Sequence, residues 1–195
     1  MHQSIGIKVA IFSVIDGKLK VYAPEGNLPS KVWKKGMIPE DEVAQIIKES
    51  VGVPITQGYV EQLYTISRPD EKDFDIAIIY YFLLADRYIV KHEGWVKSVD
   101  TADRTIVSYA TQRLRWKIEY TNVAYSLLPD EFVFGELQRA YEAILHRTLD
   151  KRNFRKKIFS LNILKDTGKK RALGRARPAQ TYIFKERKLA FVEIL

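Results

Sequence analysis

Cysteine is absent from this 195-residue chain, which excludes disulfides and thiolate metal sites and is consistent with a reducing interior. Long apolar runs are absent too. None approaches the roughly 18–20 residues needed to span a bilayer. The first residues, MHQSIGIKVAIF, carry neither a basic stretch nor a small-residue cleavage site, so no signal peptide is read there. These absences set the expectation of a cytoplasmic protein with no membrane partner. Acid is the last shortage, and it is local. Between Lys151 and Arg177 there are eleven Lys and Arg residues, against Asp166 alone.

What is present is a folded composition: 46% hydrophobic and 12% aromatic residues are too many for a disordered chain. The formal charge of +8 is unevenly spread. Residues 1–130 hold 16 basic and 17 acidic groups, whereas residues 131–195 hold 16 and 7. The whole excess lies in the carboxy-terminal third, and it points to a polyanionic partner for that part alone.

Along the front part, apolar residues are dense from Ile5 to Ile15. Asp16-Gly17 then supplies a tight turn before LKVYAP, a hairpin signal because both turn residues tolerate positive φ. Gly26 to Gly36 reads as a loop. Pro39 opens a helix with Glu40, Asp41 and Glu42 in its first turn, Val43, Ile46, Ile47 and Val51 on its apolar face, and Gly52 with Pro54 at its end. Two strands follow, Tyr59 to Ile66 and Phe74 to Leu84. The run KHEGWVKSVD is expected to be a short strand leaving the sheet. A helix is expected after Asp100 or Asp103, with Ile106, Tyr109, Ala110 and Leu114 at helical spacing, and helical character resumes from Trp116 to Leu128.

After Pro129 the pattern changes. Glu136 to His146 (ELQRAYEAILH) places Leu137, Ala140, Tyr141, Ile144 and Leu145 on one stripe. Arg147-Thr148-Leu149 is a turn, and Asp150 or Thr148 can cap the next helix, whose apolar side is Phe154, Ile158 and Phe159. Its other side carries Lys151, Arg152, Arg155 and Lys156. Leu161, Ile163 and Leu164 lead into a basic hairpin that returns through Thr181 to Phe184. Helix, turn, helix and hairpin in this order are the winged helix-turn-helix plan.

The run ELQRAYEAILHRTLDKRNFRKKIFSLNIL followed by GRARPAQTYIF resembles the carboxy-terminal winged helix of the NrtR-type regulators, with helix, turn and wing in register from about Tyr120 to Phe184. LLPDEFVFGELQ resembles that family's interdomain connector. Over residues 1–115 the resemblance rests on element order. It implies an α+β protein: a Nudix-like α/β/α sandwich with a mixed sheet over residues 1–128, then a winged helix-turn-helix over residues 129–195. The implied function is that of a DNA-binding transcriptional regulator, a repressor, acting as a homodimer on a palindromic operator in double-stranded DNA.

A catalytic Nudix box, G-x5-E-x7-R-E-U-x-E-E-x-G-U with U a bulky aliphatic, holds divalent cations on its glutamates. Anchored on Gly52-Val53, it places Glu49 on one paired glutamate and Ser50 on the other, with Gln45 and Ile46 on the Arg-Glu pair and Lys31 on the leading glycine. One carboxylate makes a poor Mg²⁺ site. The reading is no hydrolysis, no catalytic residue, no metal ligand and no cofactor. The competing reading is a Nudix-type nucleoside diphosphate hydrolase with a basic nucleic-acid-binding tail.

For the DNA end, Arg152 and Asn153 in the first turn of the second helix are the expected base readers, since Arg pairs with guanine and Asn with adenine. Thr148, Lys151, Arg155 and Lys156 surround them. Lys169, Lys170 and Arg171 at or near the wing tip, with Arg175 and Arg177 beyond, suit phosphate or minor-groove contact. Six neutralised phosphates would give a log–log salt slope of roughly −5. For the front domain, the resemblance implies an effector site for ADP-ribose or a related nucleotide or sugar. TISRPDEKD matches the family's T-x-G-D-x-x-R-D-P-R loop at Thr65 and Asp70, with Arg68 as a partial substitute for the lost arginines and Trp33 or Tyr64 as stacking partners.

Overall fold

Asp16 and Gly17 both take positive φ, 52° and 70°, and this lets strand β1 (Ile5–Ile15) reverse directly into β2 (Lys18–Tyr22). The computed structural model describes residues 4–67, 74–172 and 177–194. The chain divides into two compact units, Met1–Ser13 with Lys20–Arg113, and Val14–Leu19 with Leu114–Leu195.

In the first unit β1 lies inside a six-stranded mixed sheet. It pairs in parallel with β5 (Ile76–Leu83), which pairs antiparallel with β4 (Tyr59–Ser67). A short strand, β3 (Ser30–Val32), forms inside the expected loop and pairs antiparallel with β1. The run KHEGWVKSVD contributes β6 (Trp95–Val96). This strand does not leave the sheet: it pairs with β2, Tyr22 opposite Trp95, and the two rings meet 5.5 Å apart.

Period-two alternation along β5 sends successive side chains to opposite faces. Tyr80 reaches Glu40 on helix α1 (Pro39–Val51), while Tyr81 lies on the other face with Glu61. That second face is covered by α2 (Arg104–Tyr120), through Arg113 at 3.9 Å from Glu61 and Tyr109 edge-on to Tyr64. Helix, sheet, helix is the Nudix-like sandwich expected. Ile7, Val9, Ile11, Val43, Ile47 and Ile79 are wholly buried between the layers, each worth roughly 1.5–3 kcal/mol of apolar burial.

An ion pair is buried beside them. Lys8, on β1, donates to Asp103 across 3.0 Å, and Asp103 also accepts from the Leu28 amide at 2.9 Å. The pair ties β1 to the loop before β3 and to the start of α2. Removing Lys8 would take the charged partner from the buried Asp103 carboxylate.

Helix α2 is longer than the sequence pattern suggested. It runs unbroken to Tyr120, since TQRLRW holds no glycine or proline to stop it and Thr111 bonds back to the Val107 carbonyl at 2.7 Å. A 3-10 turn, Val123–Leu127, replaces the second helical stretch that was expected. Tyr109, placed on the apolar face by spacing, is 45% exposed because it caps Tyr64 and does not enter the core.

In the second unit, β7 (Phe132–Val133), β9 (Ala179–Phe184) and β8 (Leu164–Arg171) form an antiparallel sheet in that order. Helices α3 (Phe134–Leu145) and α4 (Lys151–Ser160) pack with it. The shared core is aromatic: Phe154 meets Tyr141 at 5.0 Å and Phe134 at 5.7 Å, and Phe132 meets Phe184 at 5.3 Å.

Candidate nucleic-acid interface

The turn between α3 and α4 is held by side chains of α3. Glu142 Oε1 accepts from the Leu149 amide at 3.0 Å, and Gln138 Nε2 donates to the Leu149 carbonyl at 3.2 Å. His146 ends α3 in the left-handed region at φ 55°. Of the two caps open to the sequence, Asp150 is the one used. Its Oδ1 accepts from the Asn153 amide at 2.7 Å, satisfying one of the orphan donors of the first turn. Thr148 stands exposed in the turn.

Phe154 and Ile158 anchor α4 inward. At about 100° per residue, this turns Arg152, Asn153 and Lys156 to the opposite side. All three are exposed, as is Lys151. A row of cations and one amide on the outer face of a capped helix can present donors to phosphates and to base edges together. Lys157, further round, lies 4.0 Å from Glu193.

Arg155 is exposed as well, but its guanidinium has partners within the fold. Its guanidinium carbon lies 5.0 Å from the Phe134 ring centroid and 4.8 Å from that of Phe159, and its Nη2 donates to Tyr182 Oη at 3.1 Å.

The wing is organised by acids. Asp166 Oδ1 accepts from the Gly168 amide at 2.6 Å and from Gln180, fixing a bulge where Gly168 takes φ +75°. Glu131 accepts from Thr181 Oγ1 at 2.7 Å and from Lys169 Nζ at 3.4 Å. The Thr181 hydroxyl, then Lys169, holds the Glu131 carboxyl below the usual range for glutamate. Glu136 accepts from the Val133 amide at 2.8 Å, capping α3, and also from Arg171. Lys169 and Arg171 therefore have acid partners within the fold. Lys170, opposite Gln180, and Arg177, just before β9, are exposed. Arg175 lies outside the described residues.

Sequence reasoning missed these acids. Glu136 had a signal, a glutamate three residues into a helix. Glu131 and Tyr182 had none, because their partners are distant in the chain.

In the first unit, Glu49 stands where one paired Nudix glutamate is expected, and the side chains of Lys31 and Gln45 reach it. Lys31 Nζ lies 2.7 Å from Glu49 Oε1, Gln45 Nε2 lies 2.9 Å from the same oxygen, and the Lys31 hydrogen bond holds the carboxyl below its ordinary range. Among the described residues no group of three or more His, Asp or Glu is placed to hold a metal ion. Of the effector candidates, Trp33 is half-buried with Nε1 donating to the Met37 carbonyl at 2.9 Å, and Tyr64 lies 5.0 Å from Tyr109. Arg68 and Asp70 lie outside the described residues.

Comparison with known proteins places these features. Residues 124–184 match the NrtR DNA-binding winged helix domain family. The chain is 27% identical, over 91% of its own length and 80% of the relative's, to the ADPR responsive transcriptional repressor NtrR of Acinetobacter baylyi. Its fold matches that of Shewanella oneidensis NrtR, crystallised with a 27mer DNA, at a TM-score of 0.78 and 24% identity over 93% of each chain. It also matches a MutT/nudix family protein from Enterococcus faecalis, at a TM-score of 0.71 and 18% identity over 95% of this chain and 89% of that one. Residues 124–184 therefore match the NrtR DNA-binding winged helix domain, and they follow a domain of Nudix-like fold.

Proposed function

We propose that this protein is a DNA-binding transcriptional repressor whose Nudix-like domain senses ADP-ribose or a related nucleotide or sugar and does not hydrolyse it. The observation that carries the reading is the exposed face of α4: Lys151, Arg152, Asn153 and Lys156 stand on a helix whose start is capped by Asp150 and whose preceding turn is pinned by Gln138 and Glu142. A helix so held presents its first turn without further ordering, the arrangement a major groove requires. The similarity to a repressor that responds to ADPR supports the effector class.

Residues 1–128 are assigned the effector and dimerisation role and residues 129–195 the DNA-binding role. One short helix and one wing make few base contacts, so the working unit is a homodimer on an inverted repeat. No helix among the described residues is long and apolar enough to cross a membrane, and the working compartment is taken to be the cytoplasm. Lack of hydrolysis is supported by Glu49, already occupied by Lys31.

The test is a selection of duplexes from a random pool, followed by gel shift of the winner with and without ADP-ribose. A palindromic winner released by ADP-ribose is the expected result. Recovery of no sequence above the starting pool would overturn the reading, and Mg²⁺-dependent cleavage of ADP-ribose by the purified protein would overturn the sensor part of it.

A further inference from the structure

We infer that Arg155 is a positioning residue, which locks recognition helix α4 to wing strand β9 through a ring cage and the Tyr182 hydroxyl, and is not itself a DNA contact; the inference rests on the DNA-binding reading above. Three rings converge on its guanidinium: Phe134 at 5.0 Å, Phe159 at 4.8 Å and Tyr182 at 6.0 Å. They also meet one another, Phe134 stacked on Phe159 at 5.6 Å and Phe159 edge-on to Tyr182 at 5.3 Å. They come from three elements. Phe134 is the first residue of α3, Phe159 lies one turn beyond Arg155 on α4, and Tyr182 is central in β9, paired with Phe132 and with Asp166.

A planar cation with five donors suits this place. It can stack on ring faces and still donate in its own plane to Tyr182 Oη, at 3.1 Å. A lysine ammonium keeps the charge and loses both the plane and the fork. The rings need something of this kind. Phe159 is 39% exposed, and the guanidinium lies over it. Tyr182 is only 5% exposed, and the exposed Arg155 is the side chain that reaches its hydroxyl. The consequence for recognition is geometric. Base readers on α4 and phosphate contacts on the wing engage the same duplex, so their relative placement decides whether both sets can be made at once.

The closing experiment uses the full chain and a duplex selected by the wild-type protein from a random pool, with a scrambled duplex as comparison. Arg155→Lys and Tyr182→Phe are each expected to lower the preference for the selected over the scrambled duplex by roughly five- to tenfold. The double variant should be no worse than the worse single one, since both break one link. The salt slope should stay at the wild-type value in all three. Lys156→Ala is the control, expected to flatten the slope by roughly 0.9 through loss of one phosphate.

Wild-type behaviour of Arg155→Lys, no effect of Tyr182→Phe, or a flatter slope in Arg155→Met would overturn the inference and return Arg155 to the DNA contacts. Failure of the wild-type protein itself to prefer any duplex is a separate result. It would overturn the DNA-binding reading and this inference with it.

Discussion

Lys31 Nζ stands 2.7 Å from Glu49 Oε1, so the carboxylate left at the Nudix helix faces an ammonium where an active enzyme would keep a divalent cation. The consequence is testable with purified protein. Neither ADP-ribose nor another nucleoside diphosphate derivative should be cleaved with Mg²⁺, and Glu49→Gln should change neither that result nor the thermal midpoint measurably. Products that depend on Glu49 would restore the enzymatic reading.

Asp150 caps α4 with a hydrogen bond of 2.7 Å to the Asn153 amide. Asp150→Ala should destabilise the second unit by about 1 kcal/mol, while Asp150→Asn or Asp150→Ser should recover most of it. Urea unfolding followed by far-UV circular dichroism measures this. Equal stability of all three variants would argue that the cap does not hold the helix start.

Phe154 is 4% exposed and packs on Tyr141 and Phe134. Truncation to alanine should cost about 3–5 kcal/mol and unfold the second unit first. Hydrogen exchange would show α3, α4 and the β7–β9–β8 sheet losing protection while β1 and β5 keep it. Uniform loss across both units would contradict this.

Cations on α4 and on the wing should differ in their salt signatures. Lys156→Ala removes an exposed charge from the helix face and should flatten the log–log slope by roughly 0.9 with little change in stability. Arg171→Ala removes the partner of Glu136, the residue that also caps α3. It should lower stability by up to about 1 kcal/mol and flatten the slope by less. Paired salt titrations and melts distinguish the two, and an equal effect of both variants on the slope would refute the contrast.

Glu131 sets a pH signature. Its carboxyl is held low by the Thr181 hydroxyl first and Lys169 second, so the charged form is the one that is bound. With its folded value below the unfolded one, the contribution is full above the ordinary glutamate range and disappears as pH falls through the lowered value. Carboxylate NMR should place Glu131 below the ordinary range for glutamate. Thr181→Val and Lys169→Ala should each move it upward, and no movement in either variant would refute the two causes.

Much of the architecture was legible before any coordinates. Asp16-Gly17, the acid-rich start and Gly52 end of α1, and the stripe Leu137, Ala140, Tyr141 and Ile144 are local signals, each written within one turn or one helix. The start of α2 after Asp103 was legible too, but its unbroken run to Tyr120 was not. Spacing shows a face, but it does not show whether TQRLRW interrupts a helix or continues it, because no breaker residue decides the point locally. Among the candidate site residues, Arg152, Asn153 and Lys156 were readable as exposed, since a helix with Phe154 and Ile158 inward must turn them outward.

Taken alone, the sequence determined the order of elements, the placement of charge in the last third and the loss of the Nudix carboxylates, all of which depend on residue type and short-range spacing. Only the tertiary structure decided which cations have partners. Arg155 with Tyr182, Arg171 with Glu136, and Lys31 with Glu49 are pairs separated by 27, 35 and 18 residues. Such partners meet only when strands and helices pack. A basic residue in a sequence therefore has a charge, and the fold decides what that charge faces.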